Sequence, residues 1–368
     1  MSMQIRIGTF NCENLYVYHR LRKLDIRFEL DKIRKMSPSA KETFEKYAYD
    51  EKLGKIRYDD RGVPITSLQE GWGITDTQRK NTARLIVENQ PDIIALQEVE
   101  SLDTLNRFYS NFMQKIKVKD LREIDGDKQA RIQWKMDYRI LVDGNDNHRI
   151  DVALMSRFPI VAIRTHIWDK FESNKRQIDM FPRDCLEVDV EIPKTGKIVT
   201  FLVNHFTSRR EGAKTKEKRE RQANAVIDIV KKRFGDKIGK DNFVIMGDLN
   251  DSPKDAALKN TLYSSNLKLV NPLELVSENE RWTHFWYDDN TGLPNKSEPI
   301  AQLDHVLLSP SFKKTSIVNV RIDRRGLLGT IQKVKNIGVT QKPFDGITDK
   351  PGNEASDHCP IFVDVNVA

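Results

Sequence analysis

The sequence predicts an α/β fold in a single domain, and three observations carry the prediction. Short apolar runs rich in β-branched and aromatic residues recur along the 368 residues, and most end in an acid, an amide or a histidine. Between them lie stretches whose apolar residues follow helical spacing. The polar strand ends are spread from Asn11 to His358, so one fold has to bring the two ends of the chain together. Length alone would also allow about two domains, but layered sandwiches often run past about 200 residues as one unit. One domain over 1–368 is expected, with a charged helical insertion at about 19–75.

In chain order, residues 5–10 are an apolar strand that leads to Asn11. Leu21, Leu24 and Phe28, then Ile26, Leu30 and Ile33, recur at helix-like spacing inside the insertion, ahead of the aromatic group Phe44, Tyr47 and Tyr49. Thr75 can cap a helix over 75–90, whose inner face is Thr82, Ala83, Leu85, Ile86 and Val87 and which Pro91 ends. A strand over 92–97 delivers Glu98. Further strands are expected over 150–155, 185–192, 197–203, 243–246, 282–287, 306–308 and 360–367. The strand over 197–203 runs into Asn204 and His205. From Arg209 to Arg221 there are seven basic and three acidic residues, followed by Ala223, Val226, Ile227, Ile229 and Val230 at helical spacing. Those charges then occupy the first turns of an amphipathic helix, where either a solvated face or binding to a phosphate backbone fits. Residues 335–353, with Pro343, Gly346, Pro351 and Gly352, read as a loop leading to Ser356-Asp357-His358.

A net charge of +7 and a pI near 9.1 favour an anionic partner such as nucleic acid or anionic lipid. The N-terminus lacks a signal-peptide layout, and no apolar run approaches the ~18 residues of a membrane span. Cys12, Cys185 and Cys359 form neither an even framework nor a CxxC pair, which suits a reduced, cytoplasmic setting.

Asn11, Glu98 and Asp357 offer oxygen donors only, a set suited to hard Mg²⁺, or Mn²⁺, rather than zinc. After the apolar run over 243–246, Gly247 permits a sharp turn, and Asp248 and Asn250 share one face if the chain stays extended. A plain Asx turn explains the same pair. Asp248 could orient or deprotonate a water that Asn250 helps to position. His358 and His205 could donate to phosphate oxygens, with Asp304 holding one imidazole in its useful tautomer and raising its pKa. His305, on the other side of that strand, reads as structural. Trp282, Phe285, Trp286 and Tyr287 fit either core packing or base stacking. Cys12 reads as a small buried residue. Together these groups describe metal-assisted hydrolysis of a phosphate ester.

The order Thr9-Phe10-Asn11, Leu96-Gln97-Glu98, Asn204-His205, Gly247-Asp248-Leu249-Asn250, Leu303-Asp304 and Ser356-Asp357-His358 resembles the endonuclease/exonuclease/phosphatase superfamily. That superfamily includes DNase I, abasic endonucleases, neutral sphingomyelinases and inositol polyphosphate 5-phosphatases. The resemblance implies a four-layer αββα sandwich of two packed mixed β-sheets with the site at one edge. It also implies metal-site roles for Asn11, Glu98 and Asp357, and action on water for Asp248 with Asn250 positioning. Asp304 would pair with His358 on the scissile phosphate, and His205 would be a candidate general acid with Asp151 as a possible partner. Asn204 and Arg183 would contact substrate, Arg183 alternatively forming an ion pair with Asp184. The implied activity is a nucleic acid phosphodiesterase, a DNA endonuclease or exonuclease. A phosphatase or phospholipase C-type activity on inositol phosphates or sphingomyelin is the alternative, and an inactive binding module a third. Glu100 departs from the pattern, standing where DNase I-like nucleases carry a DNA-contacting arginine.

Overall fold

A computed structural model describes residues 2–15, 49–50, 55–56, 74–117, 134–146, 150–209, 212–288, 291–295, 298–334 and 341–368. The expected helical insertion at about 19–75 lies outside these, apart from the strand pair Tyr49–Asp50 with Lys55–Ile56. Eleven strands form the two large sheets. In chain order they are β1 (Met3–Leu15), β2 (Ile93–Val99), β3 (Tyr138–Leu141), β4 (Asp151–Ser156), β5 (Ile160–Arg164), β6 (Cys185–Ile192), β7 (Lys197–His205), β8 (Asn242–Asp248), β9 (Asp304–Leu308), β10 (Ile317–Ile322) and β11 (Ile361–Val367). The longer helices are α1 (Asp76–Asn89), α2 (Leu102–Asn111) and α3 (Ala213–Phe234).

The first sheet has the order β10-β11-β1-β2-β4-β3, and the second β9-β8-β7-β6-β5. Each contains one parallel pair joined through a helix: β1 to β2 by way of α1, and β7 to β8 by way of α3. A parallel pair needs such a crossover, and the strands of each pair end side by side. Pairing of Met3 with Val367 places both termini in the first sheet, as the spread of polar strand ends requires.

Alternation along the strands builds the layers. Ile5, Ile7, Ala95, Leu154, Val188, Phe201, Val244, Met246 and Val306 interleave between the sheets. Phe10, Ile94, Leu96 and Phe362 point outward from the first sheet and pack with Ile86 of α1 and Phe108 of α2. Leu202, Phe243 and Ile245 do the same from the second sheet, against Val226 and Val230 of α3. The result is the expected αββα sandwich, with each apolar helix stripe buried on one sheet.

Helix α1 starts as the sequence predicts: the Thr75 hydroxyl accepts from Gln78 N at 3.1 Å, and the Gln78 side chain accepts from Thr75 N at 2.8 Å. The expected strand over 282–287 shrinks to His284–Phe285, paired with Ile300–Ala301. Trp282 and Phe285 are buried in the inter-sheet core, while Trp286 and Tyr287 are half-buried. Strands β3, β5 and β10 and helix α2 were not expected. Among the described residues, no helix is long and apolar enough to cross a membrane.

Candidate active site

One end of the sandwich collects the polar strand ends. His205, Asp248 and Asp304 stand in register across the adjacent strands β7, β8 and β9. From the facing sheet, Asn11 reaches across and donates through Nδ2 to Asp248 Oδ2 at 3.0 Å and to Glu98 Oε1 at 3.2 Å. Asn11 therefore ties the two sheets together at the cluster.

The backbone is bent to aim these groups. Register slips between Gln97 and Val99 on β2, leaving Glu98 as an extra residue with φ +62°. Such a bulge re-aims a side chain that regular alternation would place elsewhere. Glu13 and Asn14 also have positive φ, within the irregularity of β1 that follows Asn11. There Asn14 N donates to Glu98 Oε2 at 2.9 Å, and Glu13 Oε2 accepts from Asp357 N at 2.9 Å. At Gly247, φ is +129° and an added Cβ would lie 1.9 Å from the Asn204 carbonyl oxygen, so only glycine fits. Left-handed residues concentrated around one cluster mark a place where the fold holds strain.

Of the two readings of their motif, Asp248 and Asn250 realise the Asx turn. Asn250 sits at φ +53°, and its backbone N–H donates to Asp248 Oδ1 at 2.8 Å, an Asx turn. In the same turn, Asn250 Nδ2 donates to Asp248 Oδ2 at 3.1 Å and to the Phe206 carbonyl at 3.0 Å. The pair thus converges by turning, not by extended alternation.

His358 Nδ1 lies 2.8 Å from Asp304 Oδ2, and its Nε2 lies 3.7 Å from Asp248 Oδ2. Burial opposes charge on this ring, but the Asp304 and Asp248 carboxylates override it and hold its pKa well above the usual histidine value. His205 Nε2 lies 3.6 Å from Asp248 Oδ2 and 3.8 Å from Glu98 Oε1. Burial, with Arg183 and His358 as neighbouring cations, pushes His205 well below the usual value. Two histidines in one cluster are thus driven apart, one toward the cation and one toward the neutral ring. Burial also raises Asp248 to about 7, although His358 works against the rise. Burial raises Glu98, and the Asp357 carboxylate adds to this.

That mutual repulsion is the test of whether a cation fits. Glu13 is pushed well up by burial and by the carboxylates of Asp357, Glu354 and Glu98, which crowd together beside His358. Oxygen donors in excess suit a hard divalent ion. Groupings that include histidine, His284-Asp357-His358 and Asp248-Asp304-His358, are also compact enough for a metal. A protonated His358 cannot ligate, which favours the carboxylates of Glu98 and Asp357; Asn11, expected in the ligand set, instead turns Nδ2 to Glu98 and Asp248 while its Oδ1 accepts from Glu13 N at 3.0 Å.

Other expected residues fall elsewhere. Asp151 is not placed on His205: its Oδ1 accepts from Gly144 N at 2.9 Å, and the buried His205 Nδ1 has no hydrogen-bond partner among the described residues. Asn204 is fully buried on the opposite face of β7, where its Nδ2 donates to the Leu202 carbonyl at 3.0 Å, so it supports the strand. Arg183 pairs with Asp146 at 2.6 Å instead of Asp184, which binds Thr165 Oγ1 and His166 N. Its Nη1 reaches the Phe206 carbonyl at 3.4 Å, keeping it beside the cluster. Glu100 is buried and accepts from Thr104 Oγ1 at 2.9 Å at the start of α2. His305 lies between Tyr263 Oη at 2.7 Å and the Asp251 carbonyl at 2.9 Å, a structural role as expected.

His284 is the residue the motifs missed. Its Nε2 is 3.0 Å from Asp357 Oδ2, and its ring meets that of His358 edge-on at 4.4 Å. The only sequence signal was its place in an aromatic stretch, which gave no reason to single it out.

Residues 72–358 match the model of the Endonuclease/Exonuclease/phosphatase family. Among solved structures, the chain resembles the endonuclease/exonuclease/phosphatase from Bacteroides vulgatus at 13% identity, covering 98% of each chain with a TM-score of 0.52. It resembles that from Beutenbergia cavernae at 16% identity, covering 100% of this chain and 72% of the other with a TM-score of 0.51. It also resembles D. rerio TDP2 complexed with single strand DNA product, at 11% identity, covering 99% of each chain with a TM-score of 0.52. At such identities these likenesses speak for the fold. No curated protein matches the chain.

Proposed function

The chain belongs to the endonuclease/exonuclease/phosphatase family, whose members are in general metal-dependent hydrolases of phosphoester bonds, and on that premise we propose that it cuts phosphodiester bonds in DNA using Mg²⁺ or Mn²⁺. The observation that carries this reading is the buried line Asp304, His358, Asp248, set against the carboxylates Glu98 and Asp357. A charge of +7 supports a polyanionic substrate, and three free, buried cysteines agree with a reducing, cytoplasmic site of action.

In this reading Glu98 and Asp357 would hold the ion, and Asn11 steadies Glu98 and Asp248 through Nδ2. When bound, a divalent cation grips a phosphate oxygen and offsets the charge that builds up there. Asp248, partly ionised near neutrality, takes a proton from the attacking water, and Asn250 fixes the turn that presents it. Asp304 keeps His358 protonated, so that Nε2–H is available to a non-bridging oxygen. His205 is neutral in the free protein and faces the same space through Nε2. A phosphate arriving beside it adds negative charge, raises its pKa and suits it to protonate the leaving oxygen.

The test incubates the purified chain with plasmid and single-stranded DNA in Mg²⁺ or Mn²⁺. Cleavage is expected to stop with a chelator and to slow at least about 100-fold in Asp248→Ala. Failure to cut either DNA, or equal rates for wild type and Asp248→Ala, overturns the reading. Release of phosphate from inositol phosphates, or of phosphocholine from sphingomyelin, would place the substrate among those classes instead.

A further inference from the structure

Beside the cluster, the hairpin made by Lys170–Ser173 and Arg176–Asp179 stands opposite the first turns of α3, and a cavity of about 440 Å³ opens between them. Arg183 and Thr207 line it, and Lys214, Lys218 and Arg221 of α3, with Glu217 among them, form one wall. Arg183 touches the Phe206 carbonyl, which also accepts from Asn250, so two hydrogen bonds that share one carbonyl link the cavity to the Asp248 turn. The Arg221 guanidinium lies 3.8 Å over the ring of Phe171 on the hairpin.

On α3 the wall carries three cations against one carboxylate, Glu217. Asp146 is paired with Arg183 at 2.6 Å, and Asp179 with Lys170 at 2.7 Å. Lys214 and Lys218 are exposed, and neither they nor Arg221 has a carboxylate partner among the described residues. Other members of the same basic run are committed to the fold. Arg219 is buried against Asp251 at 3.0 Å, and Arg209 pairs with Asp255 at 3.5 Å. The sequence could not separate a solvated helix face from a phosphate-binding one. The structure separates Arg209 and Arg219 from Lys214, Lys218 and Arg221.

From this placement we propose that the cavity is a second subsite that holds the nucleotide next to the scissile phosphate in a single strand, with Lys214, Lys218 and Arg221 on its backbone. The proposal rests on the nuclease reading of the adjoining cluster and narrows it to strands that carry phosphates on both sides of the cut. Cations along a groove with an aromatic ring in its wall are what a sequence-tolerant single-strand site requires. The volume is that of a pocket for one small unit, not of a duplex-wide trough. A phosphomonoester or a short diester would leave this wall unused.

The experiment measures binding of a fluorescent single-stranded 12-mer, a length within the roughly 4–16 nucleotides that single-strand sites cover, and hydrolysis of bis(p-nitrophenyl) phosphate in parallel. Lys214→Glu/Lys218→Glu alters only exposed side chains, and adding Arg221→Glu completes the wall. Expected are oligonucleotide binding weakened at least about tenfold, a salt slope flatter by roughly 1.4 in the double variant and 2.1 in the triple, and unchanged hydrolysis of the small diester. Unchanged oligonucleotide affinity and salt slope in both variants overturn the subsite, even if DNA is still cut. Oligonucleotide binding that depends on the wall, in a wild-type chain that cleaves neither substrate, overturns the hydrolytic reading and upholds the subsite.

Discussion

Replacing Asp304 with asparagine probes the cluster where its electrostatics are most one-sided. Asp304 Oδ2 lies 2.8 Å from His358 Nδ1, both side chains are buried, and Asp304 with Asp248 raises the imidazole well above its usual pKa against the effect of burial. Asparagine keeps the shape and leaves an oxygen for the ring N–H, but removes the charge. Loss of one carboxylate neighbour lowers the pKa of a buried cation by about 1–3 units, equivalent to about 1.4–4 kcal/mol. If protonated His358 is the active form, activity is lost as pH rises through its folded pKa. Lowering that pKa therefore moves the alkaline limb of the rate profile to lower pH by the same ~1–3 units. At neutral pH the rate is expected to fall with the protonated fraction, by at most about 10- to 10³-fold for that shift. The assay is steady-state hydrolysis of bis(p-nitrophenyl) phosphate at saturating Mg²⁺ from about pH 5 to about pH 10, with thermal melting as a check on folding. An alkaline limb that stays in place in a folded variant, with a rate within about threefold of wild type, would refute the coupling of Asp304 to His358.

Three predictions concern the frame around the cluster. Gly247→Ala places a Cβ 1.9 Å from the Asn204 carbonyl oxygen at φ +129° and is expected to lower unfolding free energy by about 2–4 kcal/mol in urea titration; a loss under about 0.5 kcal/mol would contradict the steric account. Arg219→Met strands the Asp251 carboxylate in a buried position and should cost about 3–5 kcal/mol, whereas Lys216→Met, exposed on the same helix, should stay within about 0.5 kcal/mol. Asp323 is buried, which alone would raise its pKa, but the Arg325 fork and Asn89 hold it below the usual carboxylate value. Its stabilising contribution is therefore complete above the unfolded value of ~3.9 and is lost as pH falls through the lower folded one. The urea midpoint of wild type should drop across that acid window, and Asp323→Asn should flatten the drop; parallel pH curves for the two would count against it.

The legible residues share one property: each is polar at the end of an apolar run. Asn11, Glu98, His205, Asp248, Asp304 and His358 stand out because alternation and burial leave a strand end as the natural place for such groups, and the structure gathers all of them within one cluster. Strand β5 apart, the missed elements lack that contrast. Strand β3 and strand β10 lie at sheet edges, with mixed burial and no clean alternation, and α2 spans only Leu102–Asn111. The expected strand over 282–287 was an apolar, aromatic run whose residues are buried by packing and not by a ladder.

By itself, the sequence determined the succession of strands and helices, the helix capped by Thr75 and the identity of most polar groups at the cluster, because periodicity and capping depend on near neighbours along the chain; the sandwich class followed from the resemblance that the ordered motifs carry. Only the tertiary structure decided their partners. It gave Arg183 to Asp146 and Asp151 to Gly144, brought His284 against Asp357, and turned Glu98 inward on a bulge. The physical reason is that a residue's face follows from its position in a strand, while the group it meets comes from another strand or sheet whose distance and register no local pattern encodes.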